Sequence, residues 1–329
     1  MMSNVIIGVD LGGTRLRTAA LNRDLQILER FETLTHAQEG PDATIARMKQ
    51  MITQVLPKDG SKVDGIGISA PGPANPMTGV IVAPPNLPGW HNVRLVDILR
   101  AEFDLPVYLG NDANVAALAE VIRGAAQGYR HAIYITVSTG IGGGVISDGR
   151  MLLGKEGLAA EVGHMVMVAD GGHVSSLEKE AAGPALARKA VARIQAGEKS
   201  IIVDIVQGDL SQVSGKVIGN AATAGDTLAI DVIKRGGWLL GLGIVTLLHV
   251  FNPEIIVLGG GVTNVGDLLF VPMREAIEKY ALDSSYWRDL KIVRSALGED
   301  VSIFGAAALV VTQGGQADVR SVMAKLDAE

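Results

Sequence analysis

Cysteine is absent from the 329 residues of this chain. Without thiols the protein can form neither a disulfide framework nor a thiolate metal site, and a reducing compartment, the cytoplasm, is the expected location. Aromatic residues make up only 4% of the sequence, so the core is predicted to consist mainly of Ala, Val, Ile, Leu and Gly. With 48% hydrophobic residues the chain is a globular protein, long enough for two domains.

Blocks of basic residues are also missing, and the net charge is −6. A nucleic-acid-binding protein needs a basic face that neutralises phosphates, so this class of partner is excluded. The longest hydrophobic stretch, residues 239–251, is too short to span a membrane and contains two glycines, a threonine and a histidine. It predicts a buried helix. The first ten residues lack the basic start and the cleavage site of a secretory signal peptide.

Strand and helix patterns alternate along the sequence. Apolar runs that end in turn residues predict strands at 5–10, 18–22, 64–73, 106–112 and 254–262, with 18–22 as the hairpin partner of 5–10. Residues 132–145 are predicted to form a strand, a glycine-rich turn and a second strand. Helical spacing of apolar residues predicts helices at 41–56, 95–103, 113–126 and 303–313, and helical segments that fill 178–198 and 218–250. Strands followed by glycine-rich turns occur in both halves, which predicts two related α/β lobes with a cleft between them.

Three glycine-rich segments follow predicted strands: DLGGT at 10–14, TGIGGG at 139–144 and GGG at 259–261. Glycine lets backbone N–H groups turn toward an anion, and Thr14 adds a hydroxyl donor. Asp10 is able to hold Mg²⁺ through water. Each segment alone also fits a structural turn: a hairpin, a softened strand pair or a plain strand end.

Two common nucleotide motifs are absent. The sequence has no Walker A lysine pattern and no G-x-G-x-x-G turn that opens a helix, so a P-loop or Rossmann site is not expected. Three glycine-rich loops at strand ends, spread over both halves, fit the actin-like ATPase arrangement instead.

The sequence NDAN at 111–114 places Asp112 at the end of a predicted strand. A carboxylate among several phosphate loops suggests a group that takes a proton from a hydroxyl while a nucleotide donates phosphate. Glu161 and His164, three residues apart, would point the same way on a helix or a tight turn. With Glu178, and with Asn86 between prolines, they form a typical set for binding vicinal sugar hydroxyls. His164 also fits a structural histidine, and Glu178 fits an exposed acid at a helix N-terminus.

Together these motifs resemble the ROK family of bacterial sugar kinases and sugar-responsive repressors, over nearly the whole chain from Asp10 to the FGAAAL segment at 304–309. The resemblance implies an α/β, two-lobed actin-like (ribonuclease-H-like) fold. It places a smaller lobe at residues 1–117 with 304–329 and a larger lobe, with a dimerisation surface, at 118–303. A homodimer or homotetramer is expected, and lobe closure is expected to exclude water.

The resemblance also implies residue roles. Asp112 is the implied catalytic base, and the implied ligands are a sugar, ATP and Mg²⁺. The residues implied to bind sugar hydroxyls are Asn86, Asn111, Glu161, His164 and Glu178. Those implied to bind ATP are Asp10, Gly12, Gly13, Thr14, Arg15, Thr139, Gly140, Gly142, Gly143, Gly259, Gly260 and Gly261. At Arg15 the family more often has lysine.

One departure from the family pattern is large. Members usually carry C-x-C-G-x-x-G-C before the last glutamate, with the histidine of E-x-G-H as the fourth zinc ligand. Here residues 169–183 read ADGGHVSSLEKEAAG, so no structural zinc is expected. His164 and His173 alone would make a poor metal site. The loss concerns the placement of Glu178 and His164, which zinc normally orients, and leaves Asp112 unaffected.

The expected activity is transfer of the ATP γ-phosphate to O6 of a hexose, with glucose as the first expectation because NDAN and EVGH look like the family's glucokinases. N-acetylmannosamine and N-acetylglucosamine are the alternative acceptors. A non-catalytic sugar sensor or repressor is the alternative of another class. Family repressors carry an N-terminal helix-turn-helix, for which the residues before Asp10 leave no room.

Overall fold

The computed structural model describes residues 4–170 and 173–326. This part of the chain forms two compact units. Unit 1 comprises residues 4–134, 144–160 and 295–326, and unit 2 comprises residues 135–143, 161–170 and 173–294. The two lobes predicted from the sequence, with boundaries near residues 118 and 304, stay a prediction.

Strands and helices alternate as the sequence predicts. The strands are β1 (Val5–Leu11), β2 (Arg15–Asn22), β3 (Ile27–Leu34), β4 (Val63–Ala70), β5 (Ala74–Asn75), β6 (Val80–Ile81), β7 (Val107–Asn111), β8 (Ala132–Val137), β9 (Ile141–Ser147), β10 (Arg150–Met151), β11 (Val166–Asp170), β12 (His173–Ser176), β13 (Ile255–Gly259) and β14 (Lys291–Arg294). The α-helices are α1 (Gly40–Val55), α2 (Leu95–Phe103), α3 (Asp112–Arg123), α4 (Leu177–Ala181), α5 (Gly183–Gln195), α6 (Ile202–Ile205), α7 (Gly215–Thr223), α8 (Thr227–Phe251), α9 (Asp267–Tyr280), α10 (Val301–Val311) and α11 (Val319–Leu326).

The sheet of unit 1 has the strand order β3-β2-β1-β4-β7. The predicted hairpin is confirmed, since β1 pairs antiparallel with β2 from Val5 opposite Asn22 to Leu11 opposite Leu16. Strands β1, β4 and β7 run parallel. Helix α1 packs against β2 and β3, and α10 packs against β4, β1 and β7. Because the central strands are covered, β1 is apolar almost throughout instead of alternating.

Glycines allow α10 to approach this sheet closely. A Cβ atom added to Gly67 would lie 1.7 Å from the carbonyl oxygen of Ala306 in α10. On its other side α10 meets α3, where a Cβ atom on Gly305 would lie 2.3 Å from the carbonyl oxygen of Val115. Helix α3 begins at Asp112. The glycines of β4 and α10 therefore fix the helix that carries the predicted base.

The second large sheet has the order β10-β9-β8-β13-β14. The buried helix predicted at 239–251 is confirmed as the second half of α8. Two regions that were predicted to be helical contain two helices each. Residues 218–250 divide into α7 and α8, because Gly225 takes a left-handed backbone (φ 89°) and Asp226 caps α8 by accepting a hydrogen bond from the backbone N of Ala229 at 2.8 Å. Residues 178–198 likewise divide into α4 and α5 at Ala182, which is extended.

Other elements were not predicted: β3, β5, β6, β10, β11, β12, β14, α6, α9 and α11. Strand β3 reads ILERFETL, lies at a sheet edge and is largely exposed, so a regular apolar pattern is missing. Within the described residues, no helix has the length and hydrophobicity that a membrane span requires.

Candidate active site

Asp112 lies where a parallel strand passes into a helix. Strand β7 ends at Asn111, and the Asn111 side chain caps α3 by accepting a hydrogen bond from the backbone N of Ala113 at 3.0 Å. The Oδ1 atom of Asp112 accepts from the same N–H at 2.7 Å. Asp112 is exposed. Ligands of open α/β sheets bind at this end of the strands, so its carboxylate is placed to meet a substrate.

Asp10, near the end of β1, lies in the electrostatic neighbourhood of Asp112. Burial, opposed by Arg17 and assisted by the negative charge of Asp112, raises the pKa of Asp10 from 3.8 to about 6. The Arg17 Nη1 atom lies 3.3 Å from Oδ2 of Asp10. Unit 1 therefore brings together two of the predicted carboxylates, and their mutual repulsion marks a place where a cation would be favoured.

The first glycine-rich segment forms the hairpin turn between β1 and β2. The Gly12 N–H donates to the carbonyl oxygen of Arg15 at 2.9 Å, and Thr14 and Arg15 are exposed. Arg15 forms an ion pair with Glu32. A Cβ atom on Gly13 would lie 2.8 Å from the carbonyl oxygen of Asn86. The structure thus brings a predicted phosphate loop and a predicted sugar residue into contact within unit 1.

Asn86 and Asn111 occupy different settings. The segment that carries the exposed Asn86 is turned tightly, with the Leu87 N–H donating to the carbonyl oxygen of Pro84 at 3.1 Å, and is anchored by the buried Trp90. The Asn111 side chain already caps α3, and its Nδ2 atom lies 2.5 Å from the position of a Cβ atom on Gly72. Only part of the hydrogen-bonding capacity of Asn111 is therefore open to a ligand.

The second glycine-rich segment connects β8 to β9. Thr139 and Gly140 form the turn, whereas Gly142 and Gly143 lie within β9. The Oε2 atom of Glu178 accepts a hydrogen bond from the backbone N of Ile141 at 2.8 Å. This contact is a finding that the sequence did not predict, because it links the start of α4 to a strand turn about forty residues earlier.

The E-x-G-H segment forms one 3-10 turn. Residues Val162–His164 are helical, and the His164 N–H donates to the carbonyl oxygen of Glu161 at 3.1 Å. Glu161 precedes this turn and His164 ends it, and both residues are exposed; the common direction of their side chains stays a prediction. A Cβ atom on Gly163 would lie 1.9 Å from the carbonyl oxygen of Ile141, so this position requires glycine.

The third glycine-rich segment follows β13. Gly259 is the last residue of the strand, and Gly260 has a positive φ of 87°. A Cβ atom on Gly260 would lie 2.4 Å from the carbonyl oxygen of Val137 in β8. Gly261 begins the 3-10 turn Gly261–Val265. The three glycines thus have distinct places: a strand end, a sharp turn and a helix start.

A cavity of about 690 Å³ in unit 2 has the size of a small-molecule pocket. Two of the predicted nucleotide residues, Thr139 and Gly261, line it. The N-terminal residues of α5 and α7 also line it, and helix N-termini present N–H groups to anions. The sequence analysis missed six polar lining residues: Ser138, Ser214, Lys216, Asn220, Thr223 and Asn264. The i, i+4 spacing of Lys216 and Asn220 on α7 is the one signal that would have indicated a shared face.

Among the described residues, no group of three or more His, Asp and Glu side chains is arranged to hold a metal ion. Gly171, Gly172 and the side chain of His173 lie outside the described part of the structure. The pairing of His164 with His173 is therefore still a hypothesis, and the absence of structural zinc is still a prediction.

Comparison with known proteins places these motifs in a family. A model of the ROK family matches residues 6–313. The glucokinase of Thermotoga maritima is 34% identical over 310 residues, covering 93% of this chain and 96% of that protein. The structure of a ROK family glucokinase from Streptomyces griseus, in complex with glucose and AMPPNP, is 30% identical with a TM-score of 0.76, covering 93% of this chain and 98% of that chain.

A ROK family transcriptional regulator, a homologue of the E. coli MLC protein, has a TM-score of 0.82 at 28% identity and covers 99% of this chain and 81% of that chain. These structural likenesses confirm the predicted α/β fold class, the two-lobed actin-like ATPase fold. Because the family model spans nearly the whole sequence, the chain belongs to the ROK family.

Proposed function

We propose that this protein is an ATP-dependent hexose kinase that phosphorylates O6 of its sugar, with glucose as the preferred acceptor. The observation that carries the proposal is the position of Asp112, exposed at the junction of β7 and α3 and electrostatically coupled to Asp10 beside the first glycine-rich turn. Two relatives support ATP as the donor and glucose as the acceptor. The T. maritima glucokinase is 34% identical to this chain, and a solved ROK family glucokinase is in complex with glucose and AMPPNP.

Asp112 acts as the proton acceptor in this proposal. The sugar O6 attacks the γ-phosphorus, the bond from that phosphorus to the β,γ-bridging oxygen breaks, and the hydroxyl proton passes to the Asp112 carboxylate as ADP leaves. Phosphoryl transfer depends mainly on positioning and charge stabilisation, so Asp112 orients the hydroxyl first and accepts its proton late.

The nucleotide is assigned to the glycine-rich segments and to the cavity of unit 2. Backbone N–H groups at Gly13 and Gly140, with the Thr14 and Thr139 hydroxyls, would hold phosphate oxygens. The apolar part of the cavity lining suits an adenine ring, and its polar residues Lys216, Asn220 and Asn264 suit ribose and phosphate.

The sugar is assigned to five side chains that offer amide, carboxylate and imidazole groups: Asn86, Asn111, Glu161, His164 and Glu178. Sites that hydrogen-bond every hydroxyl of a sugar reject an analogue that leaves a buried polar group unpaired. An N-acetyl group at C2 would need additional room near Glu161 and His164. The loss of the family's cysteine motif at 169–183 would leave such room, so N-acetylmannosamine and N-acetylglucosamine are the alternative acceptors.

Asp10 fits a role in holding Mg²⁺. Its carboxylate is an oxygen ligand of the kind that Mg²⁺ prefers, and burial, together with the charge of Asp112, disfavours its ionised form until a cation is near. When bound, Mg²⁺ would neutralise charge on the β- and γ-phosphate oxygens. In the absence of the cation, the ion pair with the Arg17 guanidinium holds the Asp10 carboxylate in place.

We also propose that the protein forms a homodimer or a homotetramer and that it is located in the cytoplasm. Exposed apolar side chains at the ends of α8 and α9, Val250, Tyr280 and Leu282, form a candidate subunit surface in unit 2. Light scattering on the purified protein at micromolar concentration decides between monomer and oligomer.

A coupled ADP-release assay across a hexose panel tests the function. We expect glucose to have the highest kcat/KM, with mannose and glucosamine weaker. The panel also contains allose, fructose and both N-acetyl sugars. A kcat/KM that is more than about tenfold higher for an N-acetyl sugar, a difference worth ~1.4 kcal/mol, would refute glucose as the preferred acceptor but would leave the assignment as a sugar kinase intact.

The second candidate, a non-catalytic sugar sensor, is favoured by one observation, the TM-score of 0.82 to a transcriptional regulator. The same assay separates the two. A sensor would bind sugar, detected by calorimetry, without turning over ATP on any member of the panel.

A further inference from the structure

The backbone of Ile141 contacts two segments that were assigned to the sugar. Its N–H donates to Oε2 of Glu178 at 2.8 Å. Its carbonyl oxygen lies 1.9 Å from the position of a Cβ atom on Gly163, the glycine of the E-x-G-H turn. Ile141 follows the turn Thr139–Gly140 directly, so both contacts lie at the end of this turn.

The other end of the turn is held by α5. The Gly183 N–H donates to the carbonyl oxygen of Ser138 at 2.8 Å, and the Ser138 N–H donates to the carbonyl oxygen of Gly140 at 2.8 Å. Ser138 and Thr139 line the 690 Å³ cavity of unit 2, as does Gly183. One short turn therefore connects the cavity to the carboxylate of Glu178.

Glycine at position 140 makes room for this carboxylate. A Cβ atom on Gly140 would lie 2.5 Å from Oε2 of Glu178. Glu178 is half-buried, and no hydrogen bond to its Oε1 atom occurs among the described residues. One oxygen is thus used to hold the turn, and the other is available to a ligand hydroxyl.

We propose that Glu178 is a positioning residue that couples sugar binding to nucleotide binding, with Oε2 fixing the Thr139–Gly140 turn through Ile141 and Oε1 accepting a sugar hydroxyl. The proposal rests on the proposed function for the identity of the two ligands. A hydrogen bond to an ionised acceptor is about twice as strong as a neutral one, so the charge of Glu178 matters for the turn. A sugar that fixes the carboxylate also fixes the turn, and by linkage the nucleotide then strengthens sugar binding by the same factor.

Calorimetric titration of AMPPNP into sugar-free protein tests the first half of the coupling. We expect Glu178→Ala to weaken AMPPNP binding about tenfold relative to wild type, because the turn loses its charged acceptor. Glu178→Gln keeps a neutral acceptor of the same shape and should lose less, about threefold. Glu275→Ala is the control: it removes an exposed carboxylate of α9 that does not line the cavity and has no described contact to Ile141, so AMPPNP binding without sugar should stay at the wild-type value.

The second half is tested by repeating the titrations at saturating glucose. Glucose should raise AMPPNP affinity in the wild type, and this increase should disappear in Glu178→Ala. Equal AMPPNP affinity for wild type and both Glu178 variants in the sugar-free protein would overturn the proposal. Melting curves identify a variant that fails to fold, in which case Glu178→Gln decides alone. If no hexose is phosphorylated, the kinase assignment fails, while the sugar-free AMPPNP titration still decides whether Glu178 holds the turn.

Discussion

The carbonyl oxygen of Asn86 lies 2.8 Å from the position that a Cβ atom on Gly13 would occupy. Gly13 belongs to the turn after β1, and Asn86 belongs to a proline-rich segment more than seventy residues later. The turn assigned to phosphate and the residue assigned to sugar thus share one packed surface. A substitution on either side of this surface should therefore weaken the binding of both the sugar and the nucleotide.

Gly13→Ala should therefore damage sugar and nucleotide use together. The added methyl group meets the Asn86 carbonyl oxygen and Cβ atom, and backbone cannot move aside cheaply. We expect KM to rise for both glucose and ATP, and kcat/KM to fall on the order of 10–100-fold, as misplacement of about 1 Å does in other active sites. Steady-state kinetics with each substrate varied in turn measures this, and an effect on ATP alone would contradict the shared surface.

Asp112→Asn should abolish turnover while sugar binding is nearly kept. The amide has the shape of the carboxylate but cannot accept the hydroxyl proton, so kcat should fall on the order of 10²–10⁴-fold. Glucose affinity, measured by calorimetry, serves as the control. A variant that keeps more than about a tenth of the wild-type kcat would place the base at another residue.

Asp10→Asn should stabilise the protein at neutral pH while it removes activity. Because burial raises the pKa of Asp10 to about 6, the ionised carboxylate is less favourable in the folded protein than in the unfolded chain. This destabilisation, on the order of 2–3 kcal/mol, is fully present above about pH 6 and vanishes below about pH 4.

Thermal melts of wild type and Asp10→Asn across the range from pH 7.5 to pH 4 measure this effect. The Tm advantage of the variant should be largest at pH 7.5 and should shrink as the pH falls. A variant that is less stable than wild type at pH 7.5 would show that the ion pair with Arg17 outweighs burial.

Lys216→Met should weaken nucleotide binding with little effect on sugar binding. Lys216 is an exposed residue on the wall of the 690 Å³ cavity, and the methionine keeps an unbranched chain without the charge. We expect KM for ATP to rise roughly threefold to tenfold, the range of one partly screened charge contact. Lys234→Met, an exposed lysine of α8 outside the cavity lining, is the matched control.

The purified protein should contain no stoichiometric zinc. The sequence has no cysteine, and family members use three cysteine thiolates with a histidine. Chelators should not inactivate the enzyme beyond the removal of Mg²⁺. Elemental analysis that finds about one tightly held zinc per chain would refute this and would indicate His164 and His173 as ligands.

Much of the fold follows from local pattern. The strand at 5–10, its hairpin partner and the helix at 95–103 carry their own signals, since apolar periodicity and turn residues act over a few positions. The helical region predicted at 218–250 is divided into two helices at Gly225 and Asp226. The apolar pattern continues across these two residues, so it did not indicate the boundary. Strand β3 could not be predicted, because an exposed, charged edge strand is stabilised by its partner β2 and not by its own pattern.

The sequence by itself determined the chemistry of the candidate site: an Asp at the end of a strand, three glycine-rich turns, and a set of amides and carboxylates suited to a sugar. Those properties reside in residue type and short spacing. Only the tertiary structure decided which groups meet. In the folded protein the backbone of Asn86 packs against Gly13, and the Glu178 carboxylate accepts a hydrogen bond from the backbone N of Ile141. The cavity of unit 2 is lined by Lys216, Asn220 and Asn264, among other residues. These contacts join segments tens of residues apart, and they form because the packed sheets and helices fix where distant parts of the chain run.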